Sequence, residues 1–254
     1  MREDIDLEFL KECSHTDLDT LVQILVYDKD DKKRVSETLS SSEKYMRYYP
    51  KHAYYWDEIC HELQCYGGNT LSNIFRSGKG ITYREILEDV CDTLKVKYNS
   101  TLSTEKIEEL LLLSIFEDSL EKMSDEERKE LLKNFNQKTT DLSTSAIMVI
   151  AQTTIRTSGF ASYRLSAIVA NAVVKTLTGR GLTLVGNQTL MKGVSIMSGP
   201  IGWAITGGLT AIQVSGPAYR VTIPAVIEII YLRRKSKQPL NRVKKIFSSM
   251  FFRR

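Results

Sequence analysis

The fold depends on an uncharged, glycine-rich stretch near the carboxyl-terminal end of the chain, residues 193–219, which reads GVSIMSGPIGWAITGGLTAIQVSGPAY. Its 27 residues exceed the roughly 20 that cross a bilayer as a helix. Six glycines and two prolines lie within it, and each interior glycine costs about 1 kcal/mol relative to alanine. The Gly199-Pro200 and Gly216-Pro217 breaks therefore predict a hairpin of two half-length helices in place of a simple membrane span. Three placements of this hairpin stay open: in a soluble core, in one leaflet of a membrane, or lining an oligomer.

The charges divide the chain into two halves of opposite sign. Residues 1–141 hold 30 of the 31 acids and 20 of the 35 Lys and Arg residues, a net charge of −10. Residues 142–254 hold a single acid, Glu228, and 15 Lys and Arg residues, a net charge of +14. Two hypotheses follow: the second half binds an anionic partner, or the two halves attract each other.

The acidic half has the pattern of a series of helices. Ser14 with Asp17 and the Thr82-x-x-Glu85 motif are capping pairs that predict helix starts. Ser124 with Glu127 predicts a third. Apolar residues at spacings of three and four follow each of these starts, so we expect short amphipathic helices throughout this half.

An aromatic-rich segment covers residues 45–66 and is open to two interpretations. Tyrosines interleaved with Lys44, Arg47 and Lys51 are typical of a surface that stacks on nucleic-acid bases. The alternative is a helix from about Lys51 to Tyr66 that buries one apolar stripe. We favour the second, because three acids in the segment would repel phosphate: Asp57, Glu58 and Glu62. The buried stripe would comprise Tyr55, Ile59, Leu63 and Tyr66.

Two helices are predicted on either side of the glycine-rich stretch. The first covers residues 143–176, with a bend or break at Gly159. The second begins near Thr222, because Pro224 is tolerated only in a first helical turn, and ends at Arg234. This second helix is apolar nearly all round, so we expect it to be buried or in lipid. Glu228 within it then requires an ion pair. The candidate partners, with Arg220 foremost, are Arg156, Arg164, Arg180 and Arg220.

The last residues form a basic amphipathic tail. Residues 241–254 place apolar side chains at helical spacing and contain five cations and no acid, the pattern of a helix that lies on a membrane surface or docks on protein. The candidate partner-binding or membrane-binding residues are Trp203, Arg233, Arg234, Lys244, Lys245, Phe247 and Phe251.

No catalytic, cofactor or metal motif is recognised, so we expect no cofactor and a non-enzymatic protein. The four cysteines fit no CxxC spacing, and Asp28 to Leu39 lacks the glycine and glutamate of a calcium loop. The amino terminus shows no cleavable secretory signal. One alternative is an enzyme with an unrecognised site near Tyr219, Arg220 and Glu228. A second is nucleic-acid binding by the basic half, which is the less favoured because that half lacks interleaved aromatics.

The expected fold is all-α, with a multi-helix amino-terminal region and a glycine-rich helical hairpin. Four regions are predicted: a helical module over residues 1–40, an acidic helical domain over 41–141, an acid-free region over 142–235 and a basic tail over 236–254. The expected partners are another protein, a second copy of the chain or an anionic membrane surface. We expect a cytoplasmic protein, peripheral at the inner membrane in the last case.

Several segments resemble the bacterial YaaW family. They are DIDLEFLKECS (residues 4–14), ELQCYGGNT (62–70), YREILEDV (83–90) and SGPAYRVTIPAV (215–226). The likeness covers residues 2–234 and leaves the basic tail outside it. Members of this family are grouped with ubiquinol–cytochrome c assembly chaperones, so the resemblance implies a helical, non-catalytic assembly protein that acts near a membrane.

Overall fold

The structure is a computed structural model that describes residues 2–67, 80–134, 139–156, 159–182, 200 and 219–238. These residues form α-helices and short 3-10 helices, and none of them lies in a β-strand, which confirms the all-α prediction. The α-helices are α1 (His15–Val26), α2 (Glu43–Tyr48), α3 (Trp56–Gly67), α4 (Tyr83–Thr93), α5 (Thr104–Leu120), α6 (Asp125–Asn134), α7 (Thr144–Arg156), α8 (Phe160–Thr178) and α9 (Tyr219–Ser236).

The predicted caps of the acidic half are present. The Ser14 side chain accepts a hydrogen bond from the backbone N–H of Asp17, and the Asp17 carboxylate accepts one from the backbone N–H of Ser14, which starts α1. Thr82 and Glu85 start α4 in the same way. Ser124 and Glu127 exchange the same pair of bonds at the start of α6.

The first module is bound closely to the helices that follow it. Its opening residues form a 3-10 helix, Glu8–Glu12, before α1 begins. Asp4 Oδ2 accepts a hydrogen bond from the backbone N–H of Tyr83 at 2.6 Å. Gln64 exchanges two 3.0 Å hydrogen bonds with the backbone of Arg2. The amino-terminal residues thereby contact both α3 and α4.

The aromatic-rich segment is helical and buries the predicted stripe. A 3-10 helix, His52–Tyr55, leads into α3. Tyr55, Ile59, Leu63 and Tyr66 are all buried. Tyr54, by contrast, is 57% exposed and stays on the surface.

The long helix predicted over residues 143–176 is divided in two. Gly159 is the N-cap of α8, in extended backbone, and separates α8 from α7. Gly179 ends α8 with φ of 77°, the left-handed conformation that glycine adopts at no steric cost. The predicted break at Gly159 is confirmed.

Helix α9 is the centre of the fold, and it contacts α8, α1, α4 and α3. Every residue from 221 to 233 is buried, so the helix predicted to be apolar nearly all round is covered by protein. It begins at Tyr219 instead of Thr222, with Pro224 inside it. Proline has no N–H to donate to the carbonyl of Arg220. Since Arg220 is exposed, water can hydrate that carbonyl and the helix tolerates the missing bond.

Buried side chains of the two oppositely charged halves form one hydrophobic cluster. Within the described ranges, no helix is both long and apolar enough to cross a bilayer. The predicted glycine-rich hairpin lies outside the described residues apart from Pro200 and Tyr219, and the basic tail lies outside them beyond Gln238.

Candidate functional site

The carboxyl-terminal end of α9 carries a buried charge cluster. Arg233 Nε donates to both carboxylate oxygens of Glu108, each at 3.1 Å. The Tyr83 O–H donates to Glu108 Oε1 at 2.8 Å, and an Arg233 terminal nitrogen donates to the carbonyl of Asp6 at 2.7 Å. The ring of Phe9 lies 4.5 Å from the guanidinium carbon, close enough for a cation–π contact. Three separate segments of the chain, around residues 6–9, 83 and 108, therefore surround Arg233.

The local sequence explains why these groups meet below the surface. Glu108 lies on the face of α5 that also carries Leu111, Leu112 and Ile115, so it enters the core with them. Burial raises the pKa of Glu108, and the charge of Arg233 opposes that rise. Burial also lowers the pKa of Arg233, but the acidic groups around it, Glu108 foremost, together make the net change upward. The bonds from Arg233 to both Glu108 oxygens, together with the Tyr83 hydroxyl, are the geometry of a hydrogen-bonded ion pair.

The other cations at this end of α9 are also paired with acids of the first half. Arg234 lies 3.4 Å from Glu109, and Lys235 Nζ donates to Asp17 at 2.5 Å. Lys237 is 2.7 Å from Glu105 at a more exposed position. Arg180, which follows α8, pairs with Asp31. Each described ion pair made by the second half is thus formed with the acidic half.

These contacts engage Arg233 and Arg234, two of the predicted partner-binding or membrane-binding residues, within the protein itself. Arg233 is 7% exposed and its donors are directed at Glu108 and Asp6. Arg234 also donates to Ser162 Oγ at 3.2 Å. Of the two explanations for the charge asymmetry, attraction between the halves accounts for this cluster. Trp203, Lys244, Lys245, Phe247 and Phe251 lie outside the described residues.

Glu228 is buried as predicted, but the predicted ion pair is absent. Among the described residues it makes no ion pair with Arg220 or with the other three candidate arginines, and its Oε2 has no hydrogen-bond partner. Eight residues separate Arg220 from Glu228 on one helix, about 12 Å at 1.5 Å per residue, so the two side chains cannot meet. Burial lowers the pKa of Arg34, and the positive charge of Arg220 adds to that lowering.

Burial without a counter-charge keeps the Glu228 carboxyl protonated. Desolvation raises its pKa to about 8; the charge of Lys235 lowers it and that of Asp17 raises it. Burial raises the pKa of Cys13 to about 12, and the charge of Asp17 adds to that rise. The α1–α9 contact thus holds a neutral carboxyl and a neutral thiol at neutral pH.

The residues of the alternative enzyme site are not brought together. The Tyr219 O–H donates to Oδ1 of Asp89 on α4, at 3.2 Å. Arg220 is exposed to solvent, and Glu228 faces α1. Two cavities of about 200 and 210 Å³ lie elsewhere on the described surface, one beside Arg180 and one beside Trp56. Both are smaller than the ~300–1,000 Å³ of typical small-molecule sites.

Of the four cysteines, Cys13 lies beside the charged groups around α9. Burial raises the pKa of Cys91 to about 12, and Cys65 is partly exposed beside His61, with 3.8 Å from Sγ to Nε2. Within the described ranges, no three His, Cys, Asp or Glu side chains are grouped as metal ligands.

Sequence reasoning missed Glu108 and Tyr83. The signal for Glu108 was an acid in the buried stripe of α5, in register with Leu112 and Ile115. Tyr83, the first residue of α4, gave no signal of its own, because its partner on α5 is 25 residues away.

Comparison with known proteins gives two family matches and several relatives. The family described as a domain of unknown function, DUF3944, matches residues 1–35, and the family described as ubiquinol-cytochrome C chaperone matches residues 51–227. A UPF0174 protein of Helicobacter pylori (strain J99) is 49% identical over 236 residues, 92% of this chain and 93% of the relative. The UPF0174 protein YaaW of Escherichia coli (strain K12) is 34% identical over 236 residues, 91% of this chain and 94% of the relative.

No solved structure matches the chain. The relatives extend over nearly the whole chain, and the predicted resemblance to YaaW is confirmed. This chain therefore belongs to the UPF0174 family, and its residues 51–227 belong to the family described as ubiquinol-cytochrome C chaperone.

Proposed function

We propose that this protein is a non-enzymatic, chaperone-like helical protein that binds a protein partner through residues 181–254. The match to the ubiquinol-cytochrome C chaperone family supports the chaperone-like part of the proposal. The observation that carries the binding part is the fixed end of α9. Arg233, Arg234 and Lys235 anchor it to α5 and α1, so the chain that continues beyond Gln238 starts from a rigid position.

The composition of that continuation suits a binding segment. Residues 239–254 contain five cations and no acid, and Phe247 and Phe251 stand four residues apart. On a helix, this spacing places both rings on one face. An apolar groove with an acidic rim on a partner protein would complement both features.

In-cell photo-crosslinking tests the proposal. A benzophenone amino acid replaces Phe247 or Phe251 in the full-length protein, and adducts are identified by mass spectrometry. We expect a discrete protein adduct at both positions. The control is the same replacement at Val35, which is fully exposed on the acidic half. Identical adducts at Val35 and at the tail positions, or no adduct at the tail, would contradict the proposal.

A second candidate function is attachment to an anionic membrane surface. The tail favours it, because residues 239–254 contain five cations and no acid. It would place the protein on the cytoplasmic face of the inner membrane. Flotation with phosphatidylglycerol vesicles, compared with phosphatidylcholine vesicles, tests it. Flotation of the full-length protein with the anionic vesicles only, lost when residues 239–254 are removed, would favour the membrane over a protein partner.

A further inference from the structure

An open groove of about 780 Å³ lies on the acidic half of the protein, at α2 and the 3-10 helix that follows it. Its lining combines cations and tyrosines. The lining residues are Glu43, Lys44, Arg47, Tyr48, Lys51 and Tyr54. It lies in the first half of the chain, and neither proposed function uses it.

Two tyrosine rings form the aromatic part of the groove. The centroids of Tyr48 and Tyr54 are 5.2 Å apart with a tilt of 56°. The ring of His15, at the start of α1, lies 5.2 Å from that of Tyr54. Tyr54 is thus supported by two rings and is still 57% exposed. A pre-positioned, exposed aromatic ring offers contact area at a low cost in conformational entropy, as in protein-binding surfaces.

Two cations beside these rings are unpaired. The Arg47 guanidinium lies 5.4 Å from the centroid of the Tyr48 ring, and Lys51 is exposed. Among the described residues neither side chain forms an ion pair, whereas Lys44 is 2.5 Å from Asp57. Local positive charge therefore remains in a half of the chain whose net charge is −10.

The acids nearest in sequence make contacts of their own. Asp57 pairs with Lys44, Glu58 accepts a hydrogen bond from the Ser42 hydroxyl, and Glu62 is buried with two hydrogen bonds from Thr38. These three acids were the reason to expect no anion here. Within the described surface, only Glu43 places a carboxylate in the groove lining.

We propose that this groove binds a short, linear, acidic segment of a partner protein. Carboxylates of that segment would contact Arg47 and Lys51, and an apolar side chain beside them would lie on Tyr48 and Tyr54. Charge complementarity supports a short peptide over nucleic acid. A polyphosphate strand would extend past two unpaired cations onto a negatively charged surface, where repulsion opposes binding.

Fluorescence anisotropy with the full-length protein tests the charge contacts. The probe is a fluorescein-labelled peptide in which glutamate alternates with leucine and one tryptophan. We expect Arg47→Glu with Lys51→Glu to weaken its binding by about tenfold or more, because the double reversal replaces two attractive contacts with two repulsive ones, which together exceed the ~1.4 kcal/mol of a tenfold change. Lys32→Glu with Lys97→Glu changes net charge equally at two other exposed lysines and should leave binding within about twofold.

The aromatic contact has its own control. Tyr54→Ala should weaken peptide binding, whereas Met46→Ala should not, because Met46 is 68% exposed on the same helix as Tyr48 but outside the groove lining. Circular dichroism confirms that each variant keeps its helices. Equal binding by the two charge-reversed proteins would overturn the proposal, as would equal binding of a peptide with glutamine in place of glutamate. Tighter binding of labelled oligothymidylate than of the acidic peptide would also overturn it, in favour of nucleic acid.

Discussion

Two buried glutamates, Glu228 on α9 and Glu108 on the adjacent α5, differ in the charged groups that surround their carboxyls. Glu108 and Glu228 are both shielded from solvent, at 0% and 1% exposure. Glu108 has the guanidinium of Arg233 on both oxygens and the hydroxyl of Tyr83 on one. Glu228 has the charges of Lys235 and Asp17 near it, with opposite effects, and an Oε2 without a described partner.

The difference shows that position along α9 decides the state of a buried carboxyl. Cations are concentrated at the carboxyl-terminal end of the helix, where Arg233 reaches α5. Glu228 lies five residues earlier, among Tyr231, Cys13 and apolar side chains. A buried carboxyl either finds a cation or keeps its proton. Glu108 is paired with Arg233, whereas Glu228 keeps its proton. The two sites should therefore respond differently to substitution and to pH.

Removing the cation from Glu108 should have the largest effect. Arg233→Met leaves a buried carboxylate without its counter-charge, which typically costs about 3–5 kcal/mol. We expect the free energy of unfolding, from urea denaturation followed by circular dichroism, to fall by that amount. The control is Lys237→Met, whose ion pair with Glu105 is 45% and 53% exposed and should contribute at most about 1 kcal/mol. Similar losses in the two variants would show that the Glu108 pair is no more important than a surface pair.

The unpaired site should show itself as a pH dependence. The pKa of Glu228 is raised from 4.5 to about 8 in the folded protein, so the folded state keeps a proton that the unfolded state releases. Its contribution is complete below about pH 4.5 and is lost as the pH rises toward about 8. Between about pH 6 and about pH 8, the free energy of unfolding should therefore fall by about 2 kcal/mol on this account.

The Glu228→Gln variant isolates this effect, because glutamine has the same shape and does not ionise. The free energy of unfolding of the variant should lack that fall. The difference in the free energy of unfolding between variant and native protein should therefore change with pH by about 1.4 kcal/mol per pH unit, the slope for one proton. Every other ionisable group is the same in both proteins, so the contributions of those groups cancel in the difference. A constant difference across this range would mean that Glu228 is ionised in the folded state.

The sequence predicted those parts of the fold whose signals are local. The capping partners Ser14 and Asp17 stand three residues apart, as do Thr82 and Glu85, so both starts could be identified without a tertiary structure. The break at Gly159 likewise depends on one residue. The start of α9 was predicted wrongly because Pro224 carries a local penalty that solvent at Arg220 and packing along the buried helix offset.

The charge cluster depends on contacts that no local pattern shows. Glu108 and Arg233 are 125 residues apart, and a run of cations at a helix end looks the same whether its partner is a lipid or an acidic helix of the same chain. The sequence therefore left both explanations of the charge asymmetry open. Arg233 and Arg234 were assigned to a partner because their internal partners, Glu108 and Glu109, lay in the other half.

Removing the hydroxyl of Tyr83 tests the difference between the Glu108 and Glu228 sites with a smaller expected loss of stability. Tyr83→Phe removes one hydrogen bond to a buried carboxylate, and we expect a loss of about 1.5 kcal/mol in the free energy of unfolding. Tyr231→Phe is the matched change beside Glu228. The Tyr231 hydroxyl is 3.4 Å from that of Tyr163, a long contact, so its loss should cost less than about 1 kcal/mol. A larger loss at Tyr231 than at Tyr83 would reverse the expected order of the two sites.

Lys235 should affect the pH dependence more than the stability. Its ion pair with Asp17 is 26% and 21% exposed, so Lys235→Met should lower the free energy of unfolding by at most about 1 kcal/mol near neutral pH. The positive charge of Lys235 lowers the pKa of Glu228, and the Asp17 carboxylate, left without its cation, raises it. The variant should therefore keep losing stability at pH values above about 8, where the native protein levels off. Measuring Lys235→Met against Lys235→Met with Glu228→Gln isolates the titration of Glu228. If the titration of Glu228 levels off at the same pH with Lys235 present and with Lys235→Met, the charges of Lys235 and Asp17 do not act on Glu228. The neutral state of Glu228 then follows from burial alone.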